Sequence, residues 1–271
     1  MSDEKYLHGF TAEEQDRLYR QAQFLENIVY SGIDLSEVKN LLEVGSGVGA
    51  QTEILLRRFP RAKLSCIDFS EAQIATAQKR LAGNPVAKDR YSIRQMDATD
   101  MAFKSNDQFD GAFLCWVLEH IPQPQRVLSE VRRVLQPGSL VYVTEVLNAT
   151  FFIEPYSPNV LQYWMKFNDL QYEMGGDPFV GAKLGNMLHS LGFRDIRTEV
   201  KTFFLDNRSP GKREEMIAYW TELLLSGMPN LLKVGYVTEE AAAKVKEEMH
   251  RVAKDPNAVF FYSFVQASAR T

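Results

Sequence analysis

A parallel, doubly wound α/β sheet is the fold class this sequence predicts, and three observations predict it. Short apolar strand patterns alternate with helical ones across residues 38–146. A glycine-rich turn, Leu41-Leu-Glu-Val-Gly-Ser-Gly-Val-Gly-Ala-Gln-Thr52, joins a buried strand to the helix after it. An acidic residue, Asp68, ends the next strand, about 20 residues past the glycines, where such sheets place a ribose-binding acid.

The composition suits that class. The chain has 271 residues, 45% hydrophobic and 24% charged, enough for one sizeable core with an insertion. A formal charge of −4 implies no broad basic surface, so no nucleic-acid partner is expected. Cys66 and Cys115 lie in apolar strand patterns and read as buried thiols in a reducing compartment, not as a disulfide or metal site. The start is polar, with no apolar signal segment, and no run is long and apolar enough to insert into a membrane. The cytoplasm is the expected compartment.

In order, residues 1–31 read as an aromatic tail and a helix. Tyr6, His8 and Phe10 form either a tail packed in a groove or a lid over a ligand site. Thr11 opens the helix with a capping-box pattern, Glu14 lying three residues on. Leu18, Ala22, Leu25 and Val29 recur at helical spacing and should face the core. Arg17 and Gln21 share a face off that stripe, which usually means solvated surface. Val38–Val44 is an apolar run that glycines stop. Gly45, Gly47 and Gly49 permit a tight turn and close approach of a ligand. Glu43 stands at the strand's C-terminal end, where it repels phosphate and suits a cationic or hydroxyl-rich ligand. A helix to about Phe59 follows, stopped by Pro60. Ala62–Ile67 is the second strand, ended by Asp68. Phe69 and the helix cap Ser70 follow, then the helix Glu71–Leu81. Tyr91–Gln95 is the third strand and leads to Asp97-Ala98. The fourth, Phe109–Cys115, exits through Trp116, Glu119 and His120. A helix over Pro122–Leu135 and the Pro137-Gly138 turn lead to the fifth, Leu140–Val146.

Residues 147–258 change rhythm. Asn148–Pro158 reads as aromatic and irregular, Val160–Glu173 as an aromatic-rich helix, Val180–Leu191 as a helix and Phe193–Leu205 as a strand. Helices over about Gly211–Leu225 and Thr238–Lys254 read as a second packing layer or a substrate cap. A final strand occupies 259–268.

These pieces together resemble the class I S-adenosylmethionine (SAM)-dependent methyltransferases acting on small molecules. Leu41–Ala50 resembles their motif I, Cys66–Phe69 their acidic ribose loop and Asp97-Ala98 their adenine loop. Val117-Leu-Glu-His-Ile-Pro resembles the stretch after strand four in menaquinone- and sterol-type members. The resemblance implies a Rossmann-like seven-stranded sheet in the order 3-2-1-4-5-7-6, the last strand antiparallel, with helical cap insertions. It implies one methyltransferase domain over 1–271, with its SAM-binding core at 38–146. It implies SAM contacts at Glu43, Gly45, Ser46, Gly47, Gly49, Asp68, Phe69, Asp97, Ala98, Cys115 and Trp116, with Gln21 reaching the methionine end.

The chemistry asks little of side chains, because a sulfonium methyl is already activated and a nucleophile needs mainly to be held close and dry. A protonated nucleophile also needs an acceptor for its proton. His120, Glu119, Glu145, Tyr6 and His8 are the candidates. The expected partner is a small-molecule methyl acceptor, for a monomer or homodimer without a metal. Two rival readings remain. A nicotinamide-dependent oxidoreductase would use the same first turn, since Gly45, Gly47 and Ala50 fit the dinucleotide pattern. A non-catalytic SAM-binding protein would keep the cofactor site alone.

Overall fold

The computed structural model describes residues 11–105 and 109–271. Helix α1 (Ala12–Val29) leads into the sheet. Strand β1 (Asn40–Val44) pairs in parallel with β2 (Lys63–Asp68) on one side and β4 (Phe109–Cys115) on the other. Beyond them lie β3 (Tyr91–Gln95) and β5 (Leu135–Val146), also parallel. The crossovers are α2 (Ala50–Arg58), α3 (Glu71–Leu81) and α4 (Pro124–Val134). The Ser70 hydroxyl caps α3, as its position predicts.

The second half adds a short strand β6 (Phe152–Glu154), α5 (Pro158–Glu173), α6 (Leu184–Ser190), β7 (Arg194–Leu205), α7 (Pro210–Ser226), α8 (Met228–Lys233), α9 (Glu239–Lys254) and β8 (Val259–Arg270). The sheet order is β3-β2-β1-β4-β5-β8-β6, with β7 also paired to β8. Strand β8 is antiparallel to β5 and β7. The expected order is therefore present, since the two last long strands take the expected sixth and seventh places.

Alternation along β1 and β4 builds two layers. Leu41 and Phe113 enter a core shared with Leu25 of α1, Ile54 of α2, Tyr163 of α5, Ile217 of α7 and Val245 of α9. Leu42 and Leu114 enter the opposite one, with Val127 of α4 and Leu184 of α6.

Three details differ from expectation. The sheet has eight strands, because part of the stretch read as irregular forms β6. Its pairing partner is the start of β8, Val259–Phe261, beyond the last β5 pair at Val146–Phe264. Backbone groups left there by β5 would otherwise lack partners. Strand β5 begins at Leu135, with the Pro137-Gly138 turn absorbed as an irregularity between the Phe109–Leu135 and Gly111–Leu140 pairs. Helix α8, six residues long, is too short for periodicity to reveal. No described helix is long and apolar enough to cross a membrane.

Candidate active site

The glycine loop is tied to β2. The Gly45 and Ser46 N–H groups both donate to the Ile67 carbonyl, at 2.8 and 3.1 Å. The Gly47 N–H donates to Asp68 Oδ2 at 2.7 Å, while Asp68 Oδ1 accepts from the Ser70 N–H at 2.9 Å. Burial raises the Asp68 carboxyl above its ordinary range, against the pull of its backbone N–H partners. Each of its oxygens still has a lone pair for a ligand.

Gly47 has φ +52°, and a Cβ there would meet nothing within 4 Å. Its face is open space in the cavity wall. Gly49, at φ +78°, differs: a Cβ there would lie 3.0 Å from that of Ala77 on α3. Gly49 lines neither cavity and packs against α3.

Glu43 lies deeper than the loop, and its Oε1 is buried without a hydrogen-bond partner among the described residues. Period-two alternation puts it on the Leu41 face, beneath α2. There it is 1% exposed and accepts from the Thr52 hydroxyl at 2.7 Å. It lines neither cavity. Burial pushes its carboxyl up to about 7, with Thr52 and Cys66 pulling it back and Asp68 adding to the rise.

Two cavities meet at Gly45, Asp68, Phe69 and Val117. The smaller set of walls brings Asp97, Ala98, Thr99, Ile121 and Arg126 together. Asp97 Oδ1 there accepts from the Thr99 N–H and hydroxyl, both at 2.7 Å. The other cavity contains Gln21, Ser46, Gly47, Cys115, Trp116, Glu119 and His120 of the predicted set. Tyr6 and His8 lie outside the described residues.

The exit from β4 is strained. Trp116 has φ +55°, an uncommon conformation for a bulky residue, which costs about 1–3 kcal/mol. Its N–H is held by the Thr144 carbonyl at 2.8 Å. Glu145 then takes the three N–H groups that follow: Val117 and Leu118 at 3.0 and 2.7 Å on Oε1, and Glu119 at 3.3 Å on Oε2. Glu145 is fully buried and lines neither cavity, so the expectation that it meets a substrate is corrected to that of an anchor for the turn. Burial, with the nearby Glu119 carboxylate, raises its carboxyl to about 8.

Glu119 faces the cavity. Its Oε2 accepts from Gln171 Nε2 of α5 at 2.9 Å, and its Oε1 lies 3.7 Å from His120 Nε2. A close approach at Gly176 completes this clamp, since a Cβ there would sit 2.5 Å from the Glu119 carbonyl oxygen.

Sequence reasoning missed the far wall. Arg17 is 5% exposed, not solvated, because Glu14 grips it through Nε and Nη2 at 2.7 and 2.6 Å. Glu14 thus departs from a capping box: Thr11 receives its N–H at 3.2 Å, but the carboxylate turns to Arg17. Arg17 Nη1 donates to Gln21 at 3.0 Å and lines the cavity. Trp164 and Phe167 of α5, Tyr219 and Trp220 of α7, Phe203 of β7 and Tyr262 and Phe264 of β8 line it as well. The aromatic richness of Val160–Glu173 was the available signal; the wide sequence separation of α1, α5, α7, β7 and β8 hid the rest.

The loop and its surroundings fit a nucleoside-bearing cofactor with a polar tail. Ser46 Oγ and Gln73 Oε1 are buried in the cavity lining without a hydrogen-bond partner among the described residues. The open Gly47 face and the Asp68 lone pairs adjoin them. No cluster of metal-ligating side chains occurs among the described residues.

Residues 42–143 match the family model described as a methyltransferase domain. A demethylmenaquinone methyltransferase from Desulfitobacterium hafniense is 33% identical over 149 residues, which are 55% of this chain and 52% of that protein. The chain spans about half the length of the curated relatives it matches. The structure of the [4+2]-cyclase SpnF superposes with a TM-score of 0.58 at 21% identity, over 91% of this chain and 80% of that one. A Haemonchus contortus phosphoethanolamine N-methyltransferase, solved with phosphomonomethylethanolamine and S-adenosylhomocysteine, gives 0.57 at 18% identity, over 92% and 52%. At such identities these two structures speak to fold alone.

Proposed function

We propose that this chain, a class I SAM-dependent methyltransferase, moves the methyl group of SAM to a small-molecule N, O, S or C nucleophile and releases S-adenosylhomocysteine. The observation that carries this reading is the Gly47–Asp68 bridge at the junction of the two cavities. One side suits a nucleobase and the other leaves room for an acceptor.

Bound SAM supplies an electrophilic methyl on a sulfonium. The protein's part is to hold and to exclude. Asp68 accepts the ribose hydroxyls. Asp97 accepts an exocyclic amine, the Ala98 N–H donates to a ring nitrogen, and Phe69 covers the base. Ser46 and Gln21 serve the methionine end, and Cys115 and Trp116 border the transfer point. The aromatic wall excludes water, which strengthens the electrostatic interactions inside. Where the nucleophile carries a proton, Glu119 or His120 accepts it. Glu119 Oε1 and His120 Nε2 lie 3.7 Å apart, so a His120 protonated in this way would be next to the Glu119 carboxylate. Glu145 acts through the turn it anchors. This reading places the enzyme in the cytoplasm as a monomer or homodimer, without a nucleic-acid partner.

The test is incubation with methyl-tritiated SAM and a panel of small-molecule acceptors. The expected outcome is label in an acceptor and an equal yield of S-adenosylhomocysteine. Tight S-adenosylhomocysteine binding with no transfer to any acceptor would instead favour a non-catalytic binding protein.

A further inference from the structure

Strand β7 pairs with β8 alone among the described residues, so one of its edges is open. The backbone direction along that edge follows from Ser263 of β8. Its N–H donates to the Thr150 hydroxyl at 2.9 Å, and its carbonyl accepts from the same hydroxyl at 3.2 Å. Thr150 lies in the connection from β5 to β6, the two strands on the other edge of β8. Ser263 therefore spends its backbone away from β7, and Thr202, its partner in the register, turns its own N–H and C=O outward. Alternation gives Thr198, Val200 and Phe204 the same direction. No backbone group of another described segment reaches them.

Edge strands are commonly guarded by an outward lysine or a bulge. Here Lys201 is 7% exposed and turned inward, where Nζ donates to the Ser31 carbonyl at 2.9 Å and meets Glu199 at 2.8 Å. The irregularity between Arg194 and Arg197 stands at one end and leaves Arg197–Leu205 regular. Helix α6 packs on one face of β7 at Thr198, where a Cβ on Gly185 would lie 3.4 Å from the Thr198 methyl. Farther along that face Val200 and Phe204 are 59% and 55% exposed.

We infer that two copies of this chain pair antiparallel along β7, about a twofold axis at Val200, so that one sheet runs through both. In that register outward backbone groups meet outward ones: Val200 faces Val200, and Thr198 faces Thr202 of the second copy. Glu199 comes opposite Lys201 of the second copy on both sides of the axis. Moving the axis by one residue would set Glu199 against Glu199 or Lys201 against Lys201, which repels. Moving it by two would draw in the irregularity on one side or leave Glu199 facing Leu205 on the other. The faces fit as well. With Thr198 of the second copy opposite Thr202, that copy's α6 comes up beside the bare Val200 and Phe204. On the other face Arg197 of the second copy stands opposite Phe203, a ring of the cavity wall. Main-chain bonds supply the affinity of such an edge contact, and the charges its register.

Analytical ultracentrifugation over a concentration series tests this, with circular dichroism to check folding. The wild type should reach twice the 30.9 kDa of one chain. Val200→Pro removes an N–H that bonds nothing within the chain, and Val200→Lys sets two ammonium groups against each other at an exposed position. Each should lose the dimer and keep the fold; if the proline variant misfolds, the lysine variant decides. A cysteine reports the register, because Cys66 and Cys115 are buried. Val200→Cys should cross-link two chains under mild oxidation, since hydrogen-bonded antiparallel pairs hold their Cα atoms about 5.5 Å apart, within reach of a disulfide. Thr202→Cys, which faces Thr198, should not. A wild type that stays monomeric throughout, a dimer that survives Val200→Lys, or cross-linking through position 202 in place of 200 would each overturn the inference.

Discussion

Two buried carboxyl groups link single residues to the behaviour of the site. Glu43 and Glu145 sit beneath the glycine loop and the β4 exit, with carboxyls raised to about 7 and about 8 chiefly by burial. A carboxyl whose folded pKa exceeds its unfolded value binds its proton more tightly when folded. The stability it contributes is complete below the unfolded value of 4.5, falls as pH rises through the folded value, and levels off above it. Glu43→Gln removes one such group while keeping an acceptor for Thr52. Its stability relative to wild type, from urea unfolding, should therefore rise with pH between about 5 and 7, by roughly 1.4 kcal/mol per pH unit at most, then stay level. A difference independent of pH would mean that Glu43 is not protonated in the fold. Neither set of partners was legible in the sequence: an acid at a strand end reads as a ligand contact, and only the fold brings Glu43 to Thr52 of α2 and Glu145 to the N–H groups of the turn.

At the scale of elements, the strand–loop–helix unit at β1 and α2 assigns different tasks to glycines that look alike in sequence. A Cβ at Gly47 enters open space, whereas one at Gly49 meets Ala77 at 3.0 Å. Gly47→Ala should cost only the left-handed conformation, about 1–2 kcal/mol, and weaken S-adenosylhomocysteine binding. Gly49→Ala should cost more stability, because α2 and α3 must separate, yet bind the ligand normally once folded. Unfolding and calorimetry on the pair check this, and the reverse pattern would exchange the two roles. Local patterns carried these elements well, since the glycine turn, the Ser70 cap and the apolar runs each follow from short-range chemistry. The miss at β6 has a different cause: its three residues are a strand only because β8 extends past β5 and offers unpaired backbone there.

At the scale of the molecule, a sheet with one open end is closed over by parts of the chain far apart in sequence. The half of the site proposed for the cofactor comes from consecutive loops of β1, β2, β3 and β4, so its residues could be named in order along the sequence. The acceptor half comes from α1, α5, α7, β7 and β8, whose meeting depends on tertiary packing and on the buried Glu14–Arg17 pair. A similarity over 55% of this chain does not by itself address that half, nor does a fold shared with a cyclase. Whether the Asp68 junction holds SAM is decided by calorimetric titration of S-adenosylhomocysteine into the wild-type protein and Asp68→Ala. Charged hydrogen bonds to the ribose are worth about 1.5–3 kcal/mol each. The wild type should bind, the folded variant should bind at least about tenfold more weakly, and NAD should show no comparable affinity. Equal affinity in the two proteins, or a wild type that prefers NAD, would contradict that assignment.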